Sequence, residues 1–128
     1  MGRITQLVIE AEDKPGMLAT ICSEMAAKAV NITAIMAAYD QPGGRIRMVA
    51  TPHAAARKVL DAIHLTYDEE EAVAIRVTDR PGALGRATRK LADRGINVLY
   101  AYGSIVKGSE RALIIVGVHD IEKAEGVL

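Results

Sequence analysis

The sequence predicts an α+β protein built from two copies of one βαββαβ module. Residues 13–18 (DKPGML) recur as residues 79–84 (DRPGAL), and the pair Asn31-Ile32 recurs as Asn97-Val98. Both matches have the same offset of 66 residues, with no gap between them. One such motif could arise by chance, whereas two motifs followed at equal distance by asparagine indicate an internal duplication.

Each copy begins with the same predicted strand, turn and helix. The strands at 4–11 and 73–78 contain β-branched residues and lead into an Asp-x-Pro-Gly turn, where proline suits the first helical position. The helices that follow have an amphipathic period, and the charged residues of the second helix are predicted to form its solvated back. The apolar stripes are Leu18, Ile21, Cys22, Met25 and Ala29 in the first helix, and Leu84, Ala87, Thr88, Leu91 and Gly95 in the second, whose back carries Arg86, Arg89, Lys90 and Asp93.

The remaining elements complete the first copy but not the second. We predict second strands at 31–39 and 97–106, hairpin turns at 41–44 and 107–110, and third strands at 45–51 and 111–118. A helix at 54–62 and a strand at 63–67 close the first copy, and the acidic residues 68–71 are interpreted as a solvated linker. About ten residues remain after Val118, enough for a short helix but not for a further strand.

This order of elements is the ferredoxin-like layout, an antiparallel sheet with both helices on one face. We therefore predict two modules, residues 1–68 and 69–128, of which the second lacks its last strand. Either the chain is truncated or another segment fills that sheet edge, and a bare edge would favour pairing with a second chain. The run 112–118 is apolar on both faces, which also favours a homodimer.

Composition and charge exclude several functional classes. The 128 residues contain 16 basic and 16 acidic side chains, so the basic excess typical of nucleic-acid binders is missing. The single cysteine, Cys22, allows no intrachain disulfide, and the three histidines have no metal-ligand spacing, so we expect no metal and no cofactor. We see no signal peptide, and no run approaches the roughly 20 apolar residues that cross a bilayer. The expectation is a cytoplasmic protein without membrane or nucleic-acid partners.

The repeated strand, D-x-P-G-x-L turn, amphipathic helix and Asn-Ile or Asn-Val pair resemble the ACT domain, and the resemblance covers nearly the whole chain. ACT domains typically bind amino acids and regulate metabolic enzymes. The resemblance implies a stand-alone, non-catalytic, amino-acid-binding regulatory protein, with an enzyme of amino-acid metabolism as a possible partner. It also places the ligand between the turn and the start of the second strand. By position, the ligand-binding candidates are Asp13, Gly16, Met17, Leu18, Asn31 and Ile32 in the first copy, and Asp79, Gly82, Ala83, Leu84, Asn97 and Val98 in the second.

The chemistry of the turn agrees with a zwitterionic ligand. Glycine lets a ligand approach the backbone, and the unpaired first amides of a helix form a seat for a carboxylate. The aspartates could accept hydrogen bonds from an α-ammonium group, and the asparagines supply both donors and acceptors. Met17 is bulky where Ala83 is small, so the two pockets should differ in volume.

Other interpretations of the same residues remain open. Each aspartate could simply cap its helix, and each asparagine could only end the preceding helix. The alternative function is a structural protein-interaction module, or a regulatory subunit, with no retained ligand site. An enzyme is disfavoured because the sequence has no nucleophile–base pair and no metal or phosphate-loop motif. Binding of single-stranded RNA is disfavoured because the third strands carry no aromatic residue.

Overall fold

A computed structural model describes residues 2–12, 14–38, 43–105 and 110–127. Asp13, residues 39–42 and residues 106–109 lie outside the described residues, and these ranges include parts of the predicted hairpin turns 41–44 and 107–110. The described chain divides into two compact units. We call Gln6–Glu70 the first unit, and Met1–Thr5 together with Glu71–Leu128 the second unit.

The α+β class and the ferredoxin-like layout are confirmed. Within the described residues, strands and helices follow the predicted order except that one strand replaces the two predicted at 63–67 and 73–78, and the paired strands run antiparallel. The elements are β1 (Gly2–Glu10), α1 (Met17–Ala27), β2 (Asn31–Ala38), β3 (Arg45–Thr51), α2 (His53–Ala62), β4 (Tyr67–Thr78), α3 (Ala83–Asp93), β5 (Tyr100–Ile105), β6 (Arg111–Gly117) and α4 (Ile121–Val127). None of these helices is long and apolar enough to cross a bilayer.

The first unit contains the strands in the order β2-β3-β1-β4, with β1 and β4 contributing their parts within Gln6–Glu70. Ile9 lies opposite Ile46, and Asn31 lies opposite Thr51. Alternate residues of β1 and β3 face α1 and α2, so both helices cover one face of the strands. The largest fully buried side chains of this core are Leu7, Ile9, Ile21, Met25, Ile46, Met48 and Leu60.

In the second unit the strands lie in the order β5-β6-β4-β1. The second copy has no fourth strand of its own, and the start of β1 occupies that edge of its sheet. After β6, the described residues form only α4. Arg3 joins this edge to the rest of the unit, with ion pairs of 2.8 Å to Glu125 and 3.3 Å to Glu71. The hydrogen bond to Glu125 raises the pKa of Arg3 above its ordinary value. Of the two explanations left open by the sequence, another segment fills the edge.

The interpretation of residues 68–71 as a linker was wrong. They lie inside β4, a strand of 12 residues, and the region predicted as the fourth strand, 63–67, instead forms the turn after α2 and only the first residue of β4. Acidic residues favour solvent, but here cations from other elements lie beside them. Glu70 is 3.5 Å from Arg47, and Glu69 is 3.1 Å from Arg57. These partners are distant in sequence, so local composition could not indicate them.

The helices lie where the periodicity predicted, but the stripe of buried residues on each helix is slightly rotated from the predicted one. Ile21 and Met25 are buried in α1, and Ala87 and Leu91 are buried in α3. Leu18 and Leu84, however, are 41% and 45% exposed, so neither leucine belongs to its core.

The end of α3 agrees with the local sequence. Gly95 has φ 69°, and its amide donates to Ala92 O (2.9 Å). It therefore ends α3 in the left-handed conformation, as the sequence indicated.

Candidate functional site

The first Asp-x-Pro-Gly turn ends in Gly16, whose backbone conformation would strain a residue that has a side chain. Gly16 has φ 87° and ψ −6°, a left-handed conformation, and it immediately precedes α1. The amide of Thr20 donates to Gly16 O (2.9 Å), and the amide of Met17 donates to Lys14 O (3.4 Å). Glycine has no side chain that could cap the next amides, and these have no acceptor within the helix. They form a polar, electropositive surface at the end of the turn.

The second turn reproduces this geometry almost completely. Gly82 has φ 88° and ψ −12°, the amide of Arg86 donates to Gly82 O (3.0 Å), and the amide of Ala83 donates to Arg80 O (3.1 Å). The amide of Asp79 donates to Glu110 O (2.7 Å), which ties the turn to the start of the neighbouring strand. The agreement between copies shows that the D-x-P-G motif determines the backbone shape.

Most of the predicted ligand-binding residues of the first unit lie at its surface. Gly16, Leu18 and Asn31 are exposed, while Met17 and Ile32 are half-buried and pack against the same core. The structure therefore brings the turn and the start of β2 to one core cluster. The position of Asp13 lies outside the described residues.

In the second unit the corresponding residues differ in burial and in their position relative to the second strand. Asp79, Gly82, Leu84 and Asn97 are exposed, Val98 is half-buried, and Ala83 is buried, with 8% of its surface exposed. Asn31 and Ile32 begin β2, whereas Asn97 and Val98 precede β5, which begins only at Tyr100. The second strand of this copy is therefore shorter than predicted at its start, and the two candidate sites are not equivalent.

Sequence reasoning missed the position of Arg86. It assigned this residue to the solvated back of the helix, but its guanidinium lies over the turn: a Cβ built on Gly82 would be 2.8 Å from Arg86 Nη1. Thr20 occupies the corresponding position of the first copy. Aligning the two copies for charge, as well as for apolar residues, would have singled out this difference.

Comparison with known proteins identifies the family. The family model of the ACT domain matches residues 5–64 and 72–128, so the chain belongs to the ACT domain family. No curated protein matches the sequence.

Several solved structures share the fold. A crystal structure of a protein from Bacteroides thetaiotaomicron superposes with a TM-score of 0.89 at 25% identity, covering 98% of this chain and 86% of the other. The ligand-free regulatory subunit of aspartate kinase from Thermus thermophilus has a TM-score of 0.66 at 14% identity, covering 99% and 95%. Aspartate kinase from Synechocystis has a TM-score of 0.63 at 20% identity, covering 98% of this chain and 24% of the enzyme. At such identities the two kinase structures establish similarity of fold.

Proposed function

We propose that this protein is a non-catalytic regulatory protein that binds an amino acid or a close analogue at its Asp-x-Pro-Gly turns. The observation that carries the proposal is the repeated geometry of Gly16 and Gly82. Each has a left-handed backbone at the N-terminus of a helix, followed by amides without an intrahelical acceptor. Such a turn suits a carboxylate, because backbone donors and the positive end of the helix dipole act on it together.

The exposed polar residues of the candidate sites offer partners for the other groups of an amino acid. Asp79 and Asn97 are exposed in the second unit, and Asn31 is exposed in the first. Their carboxylate and amide oxygens can accept hydrogen bonds from an α-ammonium group. The exposed Leu18 and Leu84 offer apolar surface next to the turns. A zwitterion with a small side chain therefore fits the chemistry of this region.

The regulatory part of the proposal is supported by family membership and by the known relatives. One similar structure is a regulatory subunit of aspartate kinase, and others contain a similar tandem unit within the aspartate kinase chain. We infer that this chain acts in the cytoplasm as a homodimer and that its partner is an enzyme of amino-acid metabolism. A bound amino acid would favour one arrangement of the protein, by no more than its difference in affinity between the arrangements.

A thermal-shift screen against the standard amino acids, each at millimolar concentration, tests the proposal. A ligand that binds only the folded state at a hundred times its dissociation constant adds about 2.7 kcal/mol to the free energy of unfolding. We expect one amino acid, or a few related ones, to raise the melting temperature. The variants Asn31→Ala and Asn97→Ala should reduce that shift. Ser23→Ala, at an exposed position of α1, is the matched control and should leave it unchanged.

The screen also separates the proposal from the interaction-module alternative. If no amino acid shifts the melting temperature while light scattering shows a stable dimer, ligand binding is refuted and the interaction module is favoured. A monomer at micromolar concentration would refute the homodimer independently of the ligand result.

A further inference from the structure

The second unit has a surface cleft between the end of β4 and the first two turns of α3. Its volume is about 310 Å³. Apolar residues line its floor, and the exposed basic residues Arg86 and Lys90 of α3 border it; we call it the basic cleft. Arg76 and Thr78 line it from β4, where the alternation of the strand directs their side chains to the face opposite Ile75 and Val77. We propose that the basic cleft binds a small organic anion that carries at least two negative charges. The lining residues on the apolar side are Ile75, Val77, Ala83 and Ala87.

Both cations of the basic cleft are available for a ligand. Arg86 and Lys90 are exposed, and within the described part of the chain neither lies within 4.0 Å of a carboxylate. Other basic residues, such as Arg3 and Arg57, do have acidic partners. Two like charges one helical turn apart repel one another, and an anion bound between them would offset that repulsion.

The internal duplication supplies a comparison within the same chain. Sixty-six residues before Arg86 and Lys90, the first copy has Thr20 and Glu24. Two positive charges in the second copy thus correspond to one neutral residue and one negative charge in the first. An anion site confined to the second copy requires such a difference in charge.

The apolar residues differ between the copies in the same sense. Ala83 and Ala87, on the floor of the basic cleft, correspond to Met17 and Ile21 in the first copy. Ile21 is fully buried and Met17 packs against the core of the first unit. Small side chains at these two positions of α3 leave space that larger ones would fill. The change of charge and the change of size therefore occur together, on one face of one helix.

The chemistry of the cleft defines the class of ligand. A guanidinium presents a planar fork of donors that matches the oxygens of a carboxylate or a phosphate, and lysine adds a mobile point charge. The volume is at the lower end of ordinary small-molecule sites, and the apolar floor suits a short carbon skeleton. A phosphate ester or a dicarboxylate has this combination of charge and size. The first amides of α3, near Ala83, contribute further positive potential.

This inference goes beyond the proposed function and does not depend on it. The ligand is a multiply charged anion, not a zwitterion, and it occupies the flank of α3 in the second unit only. The cleft shares Ala83 with the candidate amino-acid site, but its charged groups, Arg86 and Lys90, are not among the residues proposed for that site. A chain in which amino-acid binding fails could still bind the anion, and the reverse also holds. The two proposals are therefore tested by separate titrations.

Isothermal titration at low ionic strength, with glycerol 3-phosphate and with succinate as separate probes, tests the basic cleft. We expect saturable binding of at least one probe with one site per chain, and the preferred probe distinguishes a phosphate site from a carboxylate site. The double variant Arg86→Thr, Lys90→Glu gives α3 the residues that the first copy has at these positions. Losing two charged partners should weaken binding by roughly tenfold or more. Arg89→Gln, on the same helix but outside the cleft, is the matched control and should leave the affinity unchanged.

Circular dichroism of each variant shows whether it is folded. All three substituted positions are exposed, so we expect every variant to fold. If neither probe binds saturably to the unmodified protein, the proposal is overturned. It is also overturned if Arg89→Gln weakens binding as much as Arg86→Gln does, since each removes one positive charge and the attraction would then belong to the charge of the whole helix. The milder variant Arg86→Gln removes one charge and tests the cleft should the double variant fail to fold.

Discussion

Two glycines three residues apart, Gly82 and Gly85, should respond in opposite directions to the same substitution by alanine. Gly82 has φ 88°, where an L-residue is strained, whereas Gly85 lies within α3 and a Cβ there meets nothing within 4 Å. The left-handed conformation costs alanine about 1–2 kcal/mol. Restriction of the unfolded chain offsets this by about 0.4–1 kcal/mol. Gly82→Ala should therefore lower the free energy of unfolding by roughly 0.5–1 kcal/mol. Gly85→Ala should raise it by about the same amount, because glycine is a poor residue in a helix interior.

Gly16→Ala separates the two effects that operate at Gly82. Gly16 has nearly the same φ, 87°, but an added Cβ there meets nothing within 4 Å, whereas at Gly82 it meets the end of the Arg86 side chain. Because that side chain is flexible, we expect Gly16→Ala and Gly82→Ala to differ little in stability. Only Gly82→Ala displaces the guanidinium of Arg86, so only this variant should also change the affinity of the basic cleft.

Urea unfolding followed by circular dichroism measures these differences directly. The slope of the free energy against denaturant should remain unchanged, while the midpoints of Gly82→Ala and Gly85→Ala move to opposite sides of the original value. If both variants move in the same direction, the difference in backbone conformation does not control stability here. An increase in stability for Gly82→Ala would refute the assignment of its left-handed conformation.

Two further predictions concern the core and the surface charges. Leu91 is fully buried, so Leu91→Ala should lower the free energy of unfolding by about 2–5 kcal/mol. Leu84 is 45% exposed, so Leu84→Ala should lower it far less. Equal effects of the two substitutions in urea unfolding would contradict the placement of the core. The hydrogen bond with His53 and the charge of Arg57 lower the pKa of Glu69, so its contribution to stability is present above the ordinary glutamate pKa and is lost as the pH falls through the lowered value. In a carbon-13 NMR titration His53→Ala should raise the pKa of Glu69 towards the ordinary value, and an unchanged midpoint would contradict this cause.

The interpretation of the turns succeeded because their conformation is decided locally. The D-x-P-G motif predicts a glycine at the helix N-terminus, and Gly16 and Gly82 have φ values within one degree of each other, 87° and 88°. Proline and glycine restrict or release the backbone regardless of what packs around them. The positions of α1 and α3 followed from the same local information. The ligand-binding role of the residues around the turns remains a prediction.

The acidic stretch shows where local information was insufficient. Residues 68–71 have the composition of a solvated linker, yet they lie within β4, near its start. Their partners Arg47 and Arg57 come from β3 and α2, and Arg3, beside Glu71, comes from β1. A strand can contain consecutive carboxylates when cations from distant elements lie beside them. No window of neighbouring residues contains that information.

The sequence alone therefore determined the duplication, the order of elements outside residues 63–78, the two turns and the family resemblance, because each depends on spacing and on the conformational preferences of single residues. Only the tertiary structure decided which segment fills the open edge of the second unit, where β4 begins, and that Arg86 and Lys90 border a cleft beside Ala83 and Ala87. The physical reason is that strand pairing, ion pairing and cleft formation join residues far apart in the chain. Their outcome depends on which segments meet, and that is a property of the folded chain as a whole.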